Sequence, residues 1–355
     1  MLPILNQSFW RDEAFSVLLS QKSPLRIIAL TIKDQSPPLY LLILHYWMLA
    51  FGQSEVAVRG LSFLFHITLV IVVFFLARKL VKSTTTQLLI TAAVLLNPFL
   101  LQYAFEARPY SLLALLTTLA VYLIASRRHL LTGVVLSLGI LTHNFGLFNF
   151  MAVGIWWIAT NRKQLKTRLV QGVFLMALPS ITVLSWGLVI WNQWERVGSG
   201  FWIKQVTTSI FIDSFQKYSQ GDISYPSQHM MFLISLILLF FAFSYWVWKK
   251  DREETHIPAL LFAIALIPIG ITYAVSALFV PIYHERYLIS TVPMLILLIG
   301  YSLNQTLLFN PARKILLIVF VSAYFAILVL SSGEITGQTT KSSINWAVRQ
   351  ILSRA

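Results

Sequence analysis

Apolar runs of near membrane-spanning length follow one another along most of this chain, separated by short polar stretches. A spanning helix needs about 20 mostly apolar residues. Ten stretches approach that pattern: Glu55–Leu80, Gln87–Tyr103, Pro109–Ala125, Leu130–Thr142, Gly146–Thr160, Leu169–Trp191, Met230–Trp248, Ile257–Val280, Tyr287–Leu303 and Ile315–Ser331. Leu130–Thr142 and Gly146–Thr160 are short, and read as a bent hairpin with polar residues at its tip. Neither β-barrel alternation nor a fixed-period repeat is present. The expectation is an all-α, polytopic helical membrane protein. Composition agrees, with 57% hydrophobic and 11% charged residues over 355 positions, against about half and about a quarter in a soluble domain.

The loops orient these helices. Every second one is basic: Arg78, Lys79 and Lys82; Arg127 and Arg128; Arg162, Lys163, Lys166 and Arg168; Lys249, Lys250 and Arg252; Arg313 and Lys314. Such loops face the cytoplasm. The net charge of +14 is therefore a topological signal, and a nucleic-acid partner is excluded. The intervening loops, with Glu106 and Arg108, His143, the Asn192–His229 segment, and His284, Glu285 and Arg286, fall outside. Counting back one helix puts Asp12 and Glu13 outside as well. The protein is expected in the cell membrane with its polar islands on the outer face. The absence of cysteine excludes disulfides and thiolate metal sites. The N-terminus lacks the basic and apolar regions of a signal peptide.

Short helices precede the first span. One runs from Asp12, a possible N-cap, toward Gln21. Ser23-Pro24 reads as N-cap and first helical position of a second. Pro37–Phe51, ended by Gly52, would be roughly 22 Å long, short for a core of about 30 Å. It is read as interfacial, because counting it as a span would invert every basic loop. Three parts result: an outer-face segment 1–54 carrying Asp12-Glu13, a transmembrane domain 55–331, and an outer C-terminal segment 332–355.

Ionisable residues beside apolar segments are costly and commonly functional. Asp12 and Glu13 can take a proton from a hydroxyl or hold a cation, or serve as a helix cap and dipole partner. Arg108, in Glu106-Ala107-Arg108-Pro109-Tyr110, can grip phosphate oxygens or pair with Glu106. His143 can bind a metal, accept a proton, hydrogen-bond a hydroxyl, or simply meet water. In His284-Glu285-Arg286-Tyr287, Arg286 and Tyr287 suit an anionic head group, unless Glu285 and Arg286 only pair within their turn. His45 and His66 read as packed residues. The aromatic residues of Trp194–Tyr225, including Phe211, Phe215 and Tyr218, read as a lipid-boundary belt or an acceptor surface. These islands lie at one membrane face. A transporter would place them near the midplane.

The order Asp12-Glu13-Ala14, Pro37-Pro38-Leu39-Tyr40, Phe51-Gly52-Gln53-Ser54-Glu55, Arg59-Gly60-Leu61-Ser62, Glu106-Ala107-Arg108-Pro109-Tyr110, Thr142-His143-Asn144, and Arg286-Tyr287 followed by Pro293 resembles the polytopic GT-C glycosyltransferases. The likeness is to the protein O-mannosyltransferase branch, which includes lipid A aminoarabinose transferases. The resemblance implies inverting transfer of a hexosyl or pentosyl group from a polyprenyl-phosphate donor. The acceptor would be a glycan, lipid or protein hydroxyl at the outer face. It implies an acid, matched by Asp12 with Glu13 beside it, as base. Arg108 and Arg286, with Tyr287, would hold the donor phosphate. Some members use a divalent metal cation, for which Glu106, His143, His284 and Glu285 are the candidates, or else acceptor contacts. Two departures stand out. Ser36 precedes the Pro-Pro pair where the family often has His, and only eleven residues precede Asp12 where the family has a membrane helix. The expectation is a reading frame that extends upstream of Met1 with about 20 apolar residues. The alternatives are a lipid-linked-saccharide transporter or assembly component, or an inactive, shortened relative.

Overall fold

A computed structural model describes residues 8–34, 36–197, 203, 205–221 and 256–307. The expected spans Met230–Trp248 and Ile315–Ser331, their basic loops, and the segment 332–355 lie outside the described residues. The described chain is helical: α1 (Arg11–Ser20), α2 (Pro24–Lys33), α3 (Leu39–Phe51), α4 (Glu55–Leu80), α5 (Thr84–Leu95), α6 (Pro98–Ala104), α7 (Tyr110–Ala125), α8 (His129–Thr142), α9 (Gly146–Asn161), α10 (Leu169–Val197), α11 (Thr208–Gln220), α12 (His256–Leu278) and α13 (Thr291–Leu307), with a 3-10 turn at Glu285–Leu288 before α13.

Among the described residues, α4, α10 from Leu169 to Trp191, and α12 are long and apolar enough to cross a membrane. Helices α3, α7, α8 and α13 are shorter and apolar. In α4, Val58, Leu61, Leu69, Val73 and Leu76 are buried, while Phe63, Leu64, Ile71 and Phe75 are exposed. The outward surface of α10 is apolar too, with Leu184, Leu188 and Trp191 exposed. Such surfaces suit hydrocarbon, and the protein is a membrane protein.

Two expected spans are corrected. Gln87–Tyr103 is not one rod: α5 and α6 meet at a 52° bend. Pro98 has no N–H for the carbonyl four residues back, and it pushes the residue before it out of the helical region. Asn97 accordingly adopts φ −61°, ψ 121° and caps α6 through its side chain. Tyr287–Leu303 is also displaced. Helix α13 begins at Thr291, where Pro293 falls in the first turn, the part of a helix that tolerates proline. Tyr287 therefore sits in the 3-10 turn, not in a helix. The expected hairpin is present, with α8 and α9 joined at His143 to Phe145.

Chain connectivity sorts the helix ends. Helix α7 starts beside Arg108 and ends before Arg127. Helix α8 starts there and ends at His143, and α9 returns to Arg162. The basic turns thus share one end of α7, α8 and α9, and the polar islands share the other. Helix α7 packs between α4 and α8, α8 also packs on α10, and α9 packs on α12.

Candidate active site

The two adjacent acids have unlike surroundings. Trp10, not Asp12, is the N-cap of α1. Glu13, at the third helical position, reaches back to accept the Trp10 N–H at 3.3 Å. The rest of its carboxylate is taken from other elements. Arg59 of α4 donates Nε to Oε1 at 2.9 Å and Nη2 to Oε2 at 2.6 Å. The Ala107 N–H donates to Oε1 at 2.9 Å. Both side chains are buried. Glu13 therefore braces α1 against α4 and the α6–α7 turn, and its expected role as a second catalytic acid does not fit a carboxylate this enclosed. Arg59 was absent from the candidates read from sequence. The available signal was a cation inside the apolar stretch Glu55–Leu80.

Asp12 is the accessible acid, with its side chain 29% exposed and Oδ2 3.8 Å from Nη1 of Arg286. Its backbone carbonyl accepts Ser16 Oγ at 3.0 Å and Arg108 Nη1 at 3.3 Å. Arg108 also donates to Ser16 Oγ at 3.3 Å, and its Nε is buried without a hydrogen-bond partner. The suggested ion pairs within the two turns are replaced. Arg108 is anchored on α1, and Arg286 pairs with Asp12. Glu285 takes Lys217, a residue sequence reading did not single out.

Aromatic rings line the space around the two arginines. The Arg108 guanidinium lies 5.7 Å from the Tyr110 ring centre, and that of Arg286 lies 5.4 Å from Tyr287. The two tyrosine rings are 6.2 Å apart. His143 sits against both, at 5.8 Å from Tyr110 and 5.0 Å from Tyr287. Its Nδ1 accepts the Phe145 N–H at 3.2 Å, a role only the neutral ring can play. Burial, then the charges of Arg108 and Arg286, push His143 down to about 3. Burial pushes the Tyr287 hydroxyl up to about 12. His284 completes the edge, 5.3 Å from Tyr287. The helix ends thus bring Asp12, Arg108, His143, His284, Arg286 and Tyr287 into one cluster, with Tyr110 added. Glu106 is buried in the turn beside it.

The residues expected to contact a divalent cation do not gather into one donor set among the described residues. No three His, Asp or Glu side chains gather around a common point among the described residues. His143 stands in the field of two guanidiniums. His284 Nδ1 has Glu285 Oε2 at 3.2 Å, but the other oxygen of Glu285 is engaged by Lys217. Elsewhere, His66 and His45 are packed as expected, against the Leu95 carbonyl and the Ser20 carbonyl. The aromatic residues of α11 pack on other aromatic rings of the protein. Tyr218 is buried against Phe99 at 5.2 Å, and the partly buried Phe211 packs edge-on to Tyr273 at 5.1 Å. Phe201, Trp202 and Tyr225 lie outside the described residues.

Comparison with known proteins agrees with this architecture. A sequence model of the dolichyl-phosphate-mannose-protein mannosyltransferase family matches residues 35–186. No curated protein sequence matches the chain. The fold is similar to the crystal structure of ArnT from Cupriavidus metallidurans in the apo state, with a TM-score of 0.60 and 13% identity over 90% of this chain and 59% of that one. It is likewise similar to the ArnT structure bound to undecaprenyl phosphate, with a TM-score of 0.59 and 14% identity over 90% and 60%. The chain therefore spans about three-fifths of the length of these structures. The resemblance read from the sequence holds: this is a polytopic membrane protein of GT-C fold, with residues 35–186 matching the dolichyl-phosphate-mannose-protein mannosyltransferase family.

Proposed function

We propose that this protein is a membrane glycosyltransferase moving a sugar from a polyprenyl-phosphate donor to an acceptor hydroxyl at the outer face, with inversion. One observation carries the reading. The accessible carboxylate of Asp12 stands beside two guanidiniums from separate turns, at the helix ends opposite the basic loops. Asp12 takes the proton of the acceptor hydroxyl as its oxygen attacks the anomeric carbon. The bond from that carbon to the phosphate oxygen breaks, and the lipid phosphate departs with the electron pair. Arg108 and Arg286 neutralise the departing charge, the larger catalytic effect for such a step. The neutral His143 and the protonated Tyr287 add hydrogen-bonding groups without adding charge. The undecaprenyl phosphate in the ArnT complex supports a polyprenyl carrier as donor. The outer location rests on the basic loops.

The test is transfer by the purified protein from a polyprenyl-phosphate sugar, paired with mass spectrometry of envelope glycans from a deletion strain. Loss of one sugar from the glycans, restored by wild type and not by Asp12→Asn, is expected. Full restoration by Asp12→Asn would overturn the assignment of the base.

A further inference from the structure

Helix α11 lies between the supports of the two arginines. On one side it meets α6, whose chain runs directly into Glu106–Arg108. There Asn97 is buried and bonds in two directions. Its Oδ1 accepts the Leu100 N–H at 3.0 Å, capping α6. Its Nδ2 donates to the Tyr218 carbonyl at 2.9 Å. The Tyr218 ring packs on Phe99. Gly221 closes the helix at φ +73°, and a Cβ there would come within 3.4 Å of the Pro98 backbone. On its other side α11 meets the turn that carries Arg286. Lys217, the neighbour of Tyr218, pairs with Glu285, and Glu285 directly precedes Arg286. Phe211, two turns earlier, stacks near Tyr283 at 6.3 Å. Two adjacent residues of one helix thus bond to the start of α6, the helix that leads into the Arg108 turn, and to the turn that carries Arg286.

We propose that α11 is a strut that sets the spacing of Arg108 and Arg286, with Asn97 and Lys217 as its positioning residues. The inference rests on the reading of the two arginines as phosphate ligands. Two guanidiniums share one phosphate only when their separation matches its oxygens, and the arginines come from turns far apart in sequence. A Lys–Glu pair whose lysine is about a third exposed contributes little to stability. Its consequence is geometric: it fixes the residue before Arg286.

The test measures binding of undecaprenyl phosphate to the full chain in lipid nanodiscs, alongside thermal unfolding. Lys217→Met and Glu285→Gln should each weaken binding roughly tenfold, the scale for losing a supporting contact, with unfolding near wild type. The exchanged pair Lys217→Glu/Glu285→Lys should recover most of the binding. Asn97→Ala also removes a helix cap, so it is compared with Asn97→Asp, which keeps the cap but loses the donor to Tyr218. Asn97→Asp should also weaken binding. Wild-type affinity in Lys217→Met and Glu285→Gln, with Arg286→Gln impaired, overturns the strut and leaves the phosphate reading standing. Weak single variants without recovery in the exchange would mean that Glu285 acts directly, which also overturns it. Wild-type affinity in Arg108→Gln and Arg286→Gln removes the phosphate reading, and the strut falls with it.

Discussion

Glu13→Gln should destabilise this protein where Asp12→Asn should only silence it, although the two carboxylates are neighbours in the chain. Glu13 is enclosed and receives four hydrogen bonds: two from Arg59, one from the Ala107 N–H and one from the Trp10 N–H. Glutamine keeps the shape, but its amide N–H groups would face donors that had been bonded to a carboxylate oxygen. Arg59, itself buried, would keep its charge and lose the carboxylate it grips. Breaking a buried pair this way costs about 3–5 kcal/mol. For a chain of this size that corresponds to a fall in Tm on the order of 4–7 °C. Asp12 offers the contrast. It is partly exposed and 3.8 Å from Arg286, so Asp12→Asn should leave unfolding close to wild type. Its turnover should drop about 100-fold or more, the contribution of a general base. The assay is thermal unfolding in one lipid or detergent system for both variants, followed by transfer rates on the folded fraction. Removing both charges, as in Glu13→Leu/Arg59→Met, should recover part of the Tm, because apolar replacement of a buried pair is often tolerated. A wild-type Tm for Glu13→Gln would refute the bracing role. Equal destabilisation by Asp12→Asn would show that the two acids form one structural unit.

Three further outcomes are expected. Arg108→Lys and Arg286→Lys keep the charge but lose the planar fork, so donor binding should weaken about tenfold with smaller changes in acceptor KM; isothermal titration with undecaprenyl phosphate reads this directly. His143 is held below its ordinary value, so the folded state binds fewer protons than the unfolded one. Its contribution to stability is present above the unfolded pKa near 6.5 and is lost as pH falls from there toward about 3, by up to about 1.4 kcal/mol per pH unit. His143→Gln should flatten that part of the acid-unfolding curve, and an unchanged curve would mean the ring is already charged. Cysteines placed at Lys22 and Gln53 should react with impermeant thiol reagents in intact cells, and those at Arg128 and Lys163 only with permeant ones; the lack of native cysteine keeps the background low, and labelling of Lys22 and Lys163 from one side would overturn the topology.

The alternation of apolar runs and basic loops was enough to determine a helical membrane protein and to divide its loops between two faces, because insertion into lipid depends on local hydrophobicity and flanking charge. Helix α4 was legible to the residue, from Glu55 to Leu80, since a long, mostly apolar run that ends in cations leaves little choice. The proline at position 98 was equally visible, yet the bend at Asn97 needed the tertiary structure, where the Tyr218 carbonyl and a capped α6 compensate for the lost helical hydrogen bonds. Asp12, Arg108, His143 and Arg286 stood out singly as polar residues at one face. That they converge, and that Asp12 pairs with Arg286, was decided by packing between segments far apart in the chain. The resemblance matched Asp12 to the catalytic acid, but the bracing role of Glu13 lay beyond sequence reasoning. Two adjacent carboxylates are chemically equivalent as letters, and only the direction each takes from α1, one toward Arg59 and the α6–α7 turn and the other toward Arg286, makes one a brace and leaves the other accessible.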